Sequence, residues 1–199
     1  MKKIFNFLIV LFLACSIESA EMFKFSYNDI LDLPVYFISP KNINQKTRLV
    51  VVMHGRKRNG EEYRDQWIEK AKELNLLVIV PEFNESQFPG VYEFNYGNMF
   101  LETGESIPRN QHLFSIIEPL ANFSVNKFKL KSNKWGIYGH GAGAHFVHRY
   151  ILHYPEASHT LAIAANLGWY LSMTDQEWPF GLTNSNIDDQ QLKKAFSRY

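Results

Sequence analysis

Four short apolar runs alternate with four longer periodic stretches along the chain. Arg48-Leu49-Val50-Val51-Val52-Met53 is continuously apolar after its first residue, the pattern of a strand buried on both faces of a parallel sheet. Leu76-Leu77-Val78-Ile79-Val80-Pro81 reads the same way. Between them Asn59-Gly60 opens an amphipathic stretch over residues 61–74, which predicts a helix and hence a strand–helix–strand unit. Lys134-Trp135-Gly136-Ile137-Tyr138 has strand length, and residues 144–154 follow with Val147, Tyr150, Ile151 and Tyr154 at i, i+3, i+4, i+7, a helix stopped by Pro155. Residues 108–128 carry the stripe Leu113, Ile116, Ile117, Leu120 and Phe123, which predicts another helix. Residues 160–165 predict a strand, and residues 187–196 a last helix with Asn186 as its cap and Asp188 and Asp189 in its first turn. This alternation predicts an α/β fold with a mostly parallel sheet and helices on both faces.

Residues 83–110 lack periodicity and are rich in Phe, Tyr, Asn and Gly. Phe88, Tyr92, Phe94, Tyr96 and Phe100 there either line a pocket mouth or pack the loop onto the sheet; packing is favoured.

The segment Gly139-His140-Gly141-Ala142-Gly143 stands between the predicted strand and helix. It has the spacing of the G-x-S-x-G nucleophile elbow with glycine at the centre, and glycine has no atom that attacks a carbonyl. The strand at residues 48–53 ends in His54-Gly55. Together with Val78-Ile79-Val80-Pro81-Glu82-Phe83 and Ala164-Ala165-Asn166-Leu167-Gly168-Trp169-Tyr170, these motifs resemble a secreted α/β-hydrolase of the polyhydroxybutyrate-depolymerase and feruloyl-esterase-like group. The resemblance spans roughly residues 30 to 185. It implies an α/β-hydrolase fold in which residues 160–165 are the sixth strand, His54 shapes the oxyanion loop, and the backbone N–H groups of Arg56 and Ala142 are the oxyanion donors.

Two departures from the family bear on activity. The nucleophile position is Gly141. The family's acid and His follow the elbow in chain order. Here no histidine follows His159, and the chain given stops at Tyr199, where a seventh strand is expected, so the domain reads as truncated before its last two strands. Asp175, Glu177, Asp188 and Asp189 are expected to be solvated or capping groups. His140, His145, His148 and His153 cluster around the elbow; without a Cys or carboxylate third ligand they are read as lying on a partly exposed helix face, with no metal site. No motif implies a cofactor.

Charge and the N-terminus narrow the setting. A formal net charge of +1 gives no reason to expect nucleic-acid binding. Arg56-Lys57-Arg58 reads as a solvated basic loop, favouring an acidic ligand if it faces the pocket. Lys2-Lys3, the apolar residues 4–13, and the small residues Ala14, Ser16, Ser19 and Ala20 predict a signal peptide over residues 1–20, too short to span a membrane. Residues 21–199 are then a single, incomplete domain, secreted or periplasmic; in the alternative, Cys15, the only cysteine, is the lipid anchor of a lipoprotein. No later segment is long enough to cross a membrane.

The expectation is a catalytically inactive relative of serine carboxylic-ester hydrolases. The alternatives are a binding protein that uses the old pocket, and a working ester or peptide hydrolase with other catalytic groups. The expected partners are a small-molecule or ester ligand, and self-association through the open edge of the sixth strand.

Overall fold

Phe23 and Phe25 are buried while the alternating Met22, Lys24 and Ser26 are exposed, the period of two of a half-buried strand. The computed structural model describes residues 21–198; the segment expected to be a signal peptide, with Cys15, lies outside the described residues. β1 (Met22–Tyr27) turns back through Asn28 into β2 (Ile30–Ile38), with which it pairs antiparallel. The apolar pattern does not single these two strands out, because Asp32 and Pro34 interrupt the second.

The remaining elements follow the predicted alternation. They are β3 (Arg48–Met53), α1 (Gly60–Gln66), α2 (Ile68–Leu74), β4 (Leu76–Pro81), the short α3 (Gly90–Glu93), α4 (Ile117–Lys127), β5 (Trp135–His140), α5 (Ala142–His153), β6 (Leu161–Ala165) and α6 (Asp189–Phe196). The sheet order is β1-β2-β4-β3-β5-β6. β4, β3, β5 and β6 are parallel, and β2 joins β4 antiparallel, so the sheet is mixed at one side and parallel over the rest.

Both faces are covered. Leu49, Val51, Met53, Leu77, Ile79 and Ile137 pack in the larger core with residues of α4 and α5. Val52, Val78 and Val80 pack with Ala71 of α2 on the other face. The centre of the larger core is aromatic: Phe114 meets Phe146 edge-on at 4.7 Å and lies 5.8 Å from Tyr150 and from Tyr154. α6 packs on α5 through a small third cluster of Leu152, Leu171 and Ala195.

Three element boundaries differ from the sequence expectation, each for a local reason. The stretch 61–74 is two helices joined at Trp67, whose N–H bonds back to Arg64 O and whose ring meets Tyr138 edge-on at 5.2 Å. The stretch 108–128 begins as two short 3-10 turns, because Leu113 N–H bonds Gly97 O across the fold and His112 is extended (φ −61°, ψ 139°). The cap of α6 is Asp188, not Asn186: the Asp188 carboxylate accepts Gln191 N–H and the Gln191 side chain returns to Asp188 N–H, while Asn186 is left-handed at φ 58°.

The aromatics of residues 83–110 mostly pack inward. Phe94, Tyr96 and Phe100 are buried, with Phe94 stacked on His54 at 4.6 Å; Phe88 and Tyr92 are half-buried. β6 lies at the edge of the sheet, with Leu161 55% and Ile163 43% exposed.

Candidate functional site

Gly139-His140-Gly141-Ala142-Gly143 makes the turn from β5 into α5, at the C-terminal ends of the parallel strands. Gly141 sits at φ 59°, ψ −116°, backbone angles that a side chain penalises by about 1–3 kcal/mol and that glycine tolerates. Its N–H donates to Ala165 O at 3.2 Å, and its carbonyl accepts the N–H groups of Ala144 and His145 at 3.1 and 3.2 Å. α5 therefore starts directly after it. The N–H groups of Ala142 and Gly143 belong to the first turn and have no acceptor within the helix.

The three glycines of this turn stand under different constraints. A Cβ on Gly143 would fall inside contact distance of the Met53 carbonyl oxygen and 2.7 Å from that of His54. A Cβ on Gly139 would run into the Gly143 carbonyl and come within 2.8 Å of Ala144 N. Both are required by packing: α5 starts hard against the end of β3. A Cβ on Gly141 would meet no atom within 4 Å. A side chain at position 141 would thus project into open space, and this chain places only hydrogen there.

The facing loop follows β3. His54 is fully buried; its Nε2 accepts Phe83 N–H at 2.9 Å, so Nδ1 carries the proton and donates to Gly55 O at 3.1 Å. Burial lowers its pKa to about 3, so the ring is neutral and its role is to pin the loop to the chain after β4. Gly55 is tight against the Tyr63 hydroxyl. Arg56 and Lys57 are exposed at the loop tip. Arg58 departs from the solvated-loop expectation: its guanidinium is buried, donates to Phe83 O, Phe88 O and Gly90 O, and lies 4.1 Å over the Phe94 ring. Three carbonyls of one wandering segment give it enough acceptors to leave water.

The histidines of α5 also differ from expectation. They lie on a covered flank, because residues 169–187 and α6 close over the side of α5 away from the sheet. His145 is 3% and His153 1% exposed, and His148 is half-buried with Nε2 accepting Leu171 N–H; only His140 is exposed, its Nε2 facing Asn166 Nδ2 at 3.3 Å. Burial, with Arg149 beside it, lowers the pKa of His145 to about 4, and burial lowers those of His148 and His153 too. Arg149 is fully buried one turn after His145, donating to Pro179 O at 2.8 Å and lying 4.7 Å over Tyr96. Among the described residues no group of three or more His, Cys, Asp or Glu is placed to hold a metal ion. His54, His112, His140, His145 and His148 bond backbone groups, Tyr, Arg or Asn, and none of these contacts is a carboxylate. Asp175 and Glu177 are exposed, and Asp188 caps α6.

The turn brings Gly139 to Gly143 together with His54 and Gly55 at one end of the sheet. Beside it the chain from Ala165 to Trp169 leads to an open hollow of about 510 Å³ lined by Trp169, Tyr170, Ser172, Gln176, Glu177 and Phe180. Trp169 lies 4.3 Å from His145 and 6.0 Å from Phe180. A hollow of about 530 Å³ lies at the opposite end of the strands, around Ile38, Asn44 and Asn75, away from the turn. Sequence reasoning read Arg58 as solvated and passed over Arg149 and the Trp169–Phe180 hollow. The spacing His145, Arg149, His153 at every fourth residue was the one signal for a buried polar stripe.

Solved structures share this arrangement. The chain superimposes on poly(aspartic acid) hydrolase-1 from Sphingomonas sp. KT-1 with a TM-score of 0.84 and 36% identity, over 88% of this chain and 67% of that one. The chain belongs to the esterase-like α/β-hydrolases. The LpqC poly(3-hydroxybutyrate) depolymerase of Bordetella parapertussis is also similar, at TM-score 0.74 and 30% identity over 82% of this chain and 56% of that one. Acetyl xylan esterase from Aspergillus awamori shares the fold at TM-score 0.57 and 16% identity, over 85% of this chain and 57% of that one. This α/β-hydrolase thus spans about two thirds of the first relative and just over half of the other two. No family profile and no curated protein sequence matches it. Among the described residues no helix is long and apolar enough to cross a membrane.

Two outcomes are expected from this geometry. Gly143→Ala should lower stability by about 3 kcal/mol or more in urea unfolding, because the clash is with backbone that cannot step aside; an unchanged midpoint would contradict the close approach of α5 to β3. The buried histidines set the second. Their folded pKa values lie below the unfolded value of about 6.5, so the unfolded chain takes up protons first as pH falls. The stability they contribute is present above about pH 6.5 and is lost towards the folded values, so the urea midpoint should already fall between about pH 6.5 and 5, above the range where carboxylates titrate. A flat midpoint across that window would show these rings to be hydrated.

Proposed function

We propose that this chain is an esterase-like hydrolase that has kept the acyl-binding geometry of its family and lost hydrolysis. The observation that carries this reading is Gly141: the position whose side chain would face open space at the elbow holds no oxygen or sulfur. In an active serine hydrolase the elbow oxygen attacks the acyl carbon, a histidine takes its proton, a carboxylate orients that histidine, and two backbone N–H groups hold the oxyanion. Here Ala142 N–H, at the start of α5, and Arg56 N–H, on the loop after His54, are the donors the geometry supports. Backbone donors survive any change of side chain. Removal of the elbow nucleophile alone costs on the order of 10⁶ in turnover, so backbone donors without it leave no useful esterase.

A substrate-like ligand follows from the relatives. A poly(aspartic acid) hydrolase and a poly(3-hydroxybutyrate) depolymerase both act on chains of acyl units joined through carbonyl carbons. Such an oligomer would place one carbonyl against Ala142 N–H and run towards the aromatic hollow of Trp169, Tyr170 and Phe180. The exposed Arg56 and Lys57 favour the acidic polymer of the two. The reading of residues 1–20 as a signal peptide supports export to the periplasm or beyond the cell.

Gly141→Ser should leave chromogenic ester hydrolysis at background and lower stability by about 1–3 kcal/mol, since a Cβ enters a positive-φ position and, among the described residues, the histidine nearest the turn, His140, faces Asn166 and not a carboxylate. Ester turnover by the unaltered chain above a heat-denatured control would end the inactive reading; turnover only in Gly141→Ser would show that a working base is present. Oligo-aspartate at about a hundred times its Kd should stabilise the fold by about 2.7 kcal/mol in thermal unfolding, without hydrolysis. Trp169→Ala should remove that shift, and a shift that persists would place the ligand elsewhere.

A further inference from the structure

Asn59 is the only asparagine of the chain that is followed by glycine. A glycine nitrogen has no neighbouring Cβ to hinder it, so in a loose chain the Gly60 nitrogen reaches Asn59 Cγ. Packing demands this glycine. A Cβ at Gly60 would stand 3.0 Å from Glu82 Cβ and 3.1 Å from Tyr36 Cδ2. The fold therefore keeps a reactive dipeptide where the loop after β3 enters α1.

Each group that would have to move is held. Gly60 N–H donates to Glu82 Oε2 at 2.8 Å. Attack requires that nitrogen to give up its proton, and a carboxylate beside it both holds the proton and opposes the negative charge that would replace it. Asn59 Nδ2 donates to the Glu62 carboxylate, which fixes the side-chain amide. Bond formation at Cγ would put negative charge on Asn59 Oδ1, and that atom is buried with no hydrogen-bond donor among the described residues. Asn59 O accepts Tyr63 N–H at 3.2 Å, so turning the Asn59–Gly60 peptide towards the side chain would undo the first turn of α1.

We propose that Asn59–Gly60 is a self-modification site, and that the Glu82 carboxylate holds it in the amide form while the chain is folded. When the segment loosens, the Gly60 nitrogen loses its proton to water and bonds to Asn59 Cγ. The Cγ–Nδ2 bond breaks and ammonia leaves with that proton count restored by water. A second water opens the cyclic imide at either carbonyl, leaving aspartate or isoaspartate at position 59. Either product sets a second carboxylate where the Asn59 amide met Glu62. Isoaspartate also lengthens the backbone by one methylene between α1 and the loop that carries Arg56. The residues involved lie around β2, β4 and α1, on the other side of the sheet centre from β6, and the inference is independent of the reading at Gly141.

Peptide mapping by mass spectrometry over time at mildly alkaline pH tests it. In urea the unaltered chain should gain one dalton at residue 59; in buffer the folded chain should do so more slowly by about tenfold or more. Glu82→Ala should raise the folded rate towards the unfolded one, beyond what the unfolded fraction from its urea curve accounts for. Glu82→Gln keeps an oxygen that accepts Gly60 N–H without the charge, and its rate should fall between the two. It also serves if the alanine variant fails to fold. Conversion of the folded chain as fast as in urea, no conversion in urea, or rates in both variants explained by their unfolded fractions alone would overturn the proposal. A slower rate in Glu82→Ala would overturn it too, by showing that the carboxylate acts as the base.

Discussion

The start of α5 lies so close to the end of β3 that the carbonyls of Met53 and His54 occupy the space a Cβ on Gly143 would need. Much of the site depends on that contact. It fixes where the helix begins, which sets Gly141 at the crest of the turn with its carbonyl spent on the N–H groups of Ala144 and His145. It also brings the helix N-terminus and the loop after His54 to one place, since that loop continues from the same strand end. The local clash that forbids a side chain at positions 139 and 143 is thus the same constraint that brings two otherwise distant backbone segments together at one end of the sheet.

Around this point the molecule uses neutral and cationic polar groups in an unusual way. His54 is kept uncharged and bonded at both ring nitrogens, and Arg58 is buried against three backbone carbonyls of the segment that follows β4. On the far flank of α5, Arg149 is buried without a carboxylate among its hydrogen-bond partners and leans on carbonyls and the Tyr96 ring. Side chains that could serve proton transfer in another context here hold loops that have no regular hydrogen-bond ladder of their own.

What could be read in the sequence follows from this division. Apolar runs at residues 48–53 and 76–81 gave buried strands with bounds that match the structure, because burial on both faces leaves no room for polar alternation. The glycine turn was legible because its spacing reflects contact, and the strand and helix on either side confirm the context. Less regular features were hidden. The breaks at Trp67 and His112 come from partners distant in sequence, Tyr138 and Gly97. Asp32 and Pro34 mask β2 in a window of composition. The burial of Arg58 and of the α5 histidines depends on segments that carry no periodicity, so no pattern announces it.

The three glycines of the turn carry different histories forward. Positions 139 and 143 answer to packing, and any substitution there is felt by the whole fold. Position 141 is free of packing contacts, and only its positive φ favours glycine there. A lineage released from the demand for turnover is therefore free to drift at the middle of the motif while its outer letters stay fixed. A signature of this kind can change at its centre while its outer letters still report ancestry and architecture.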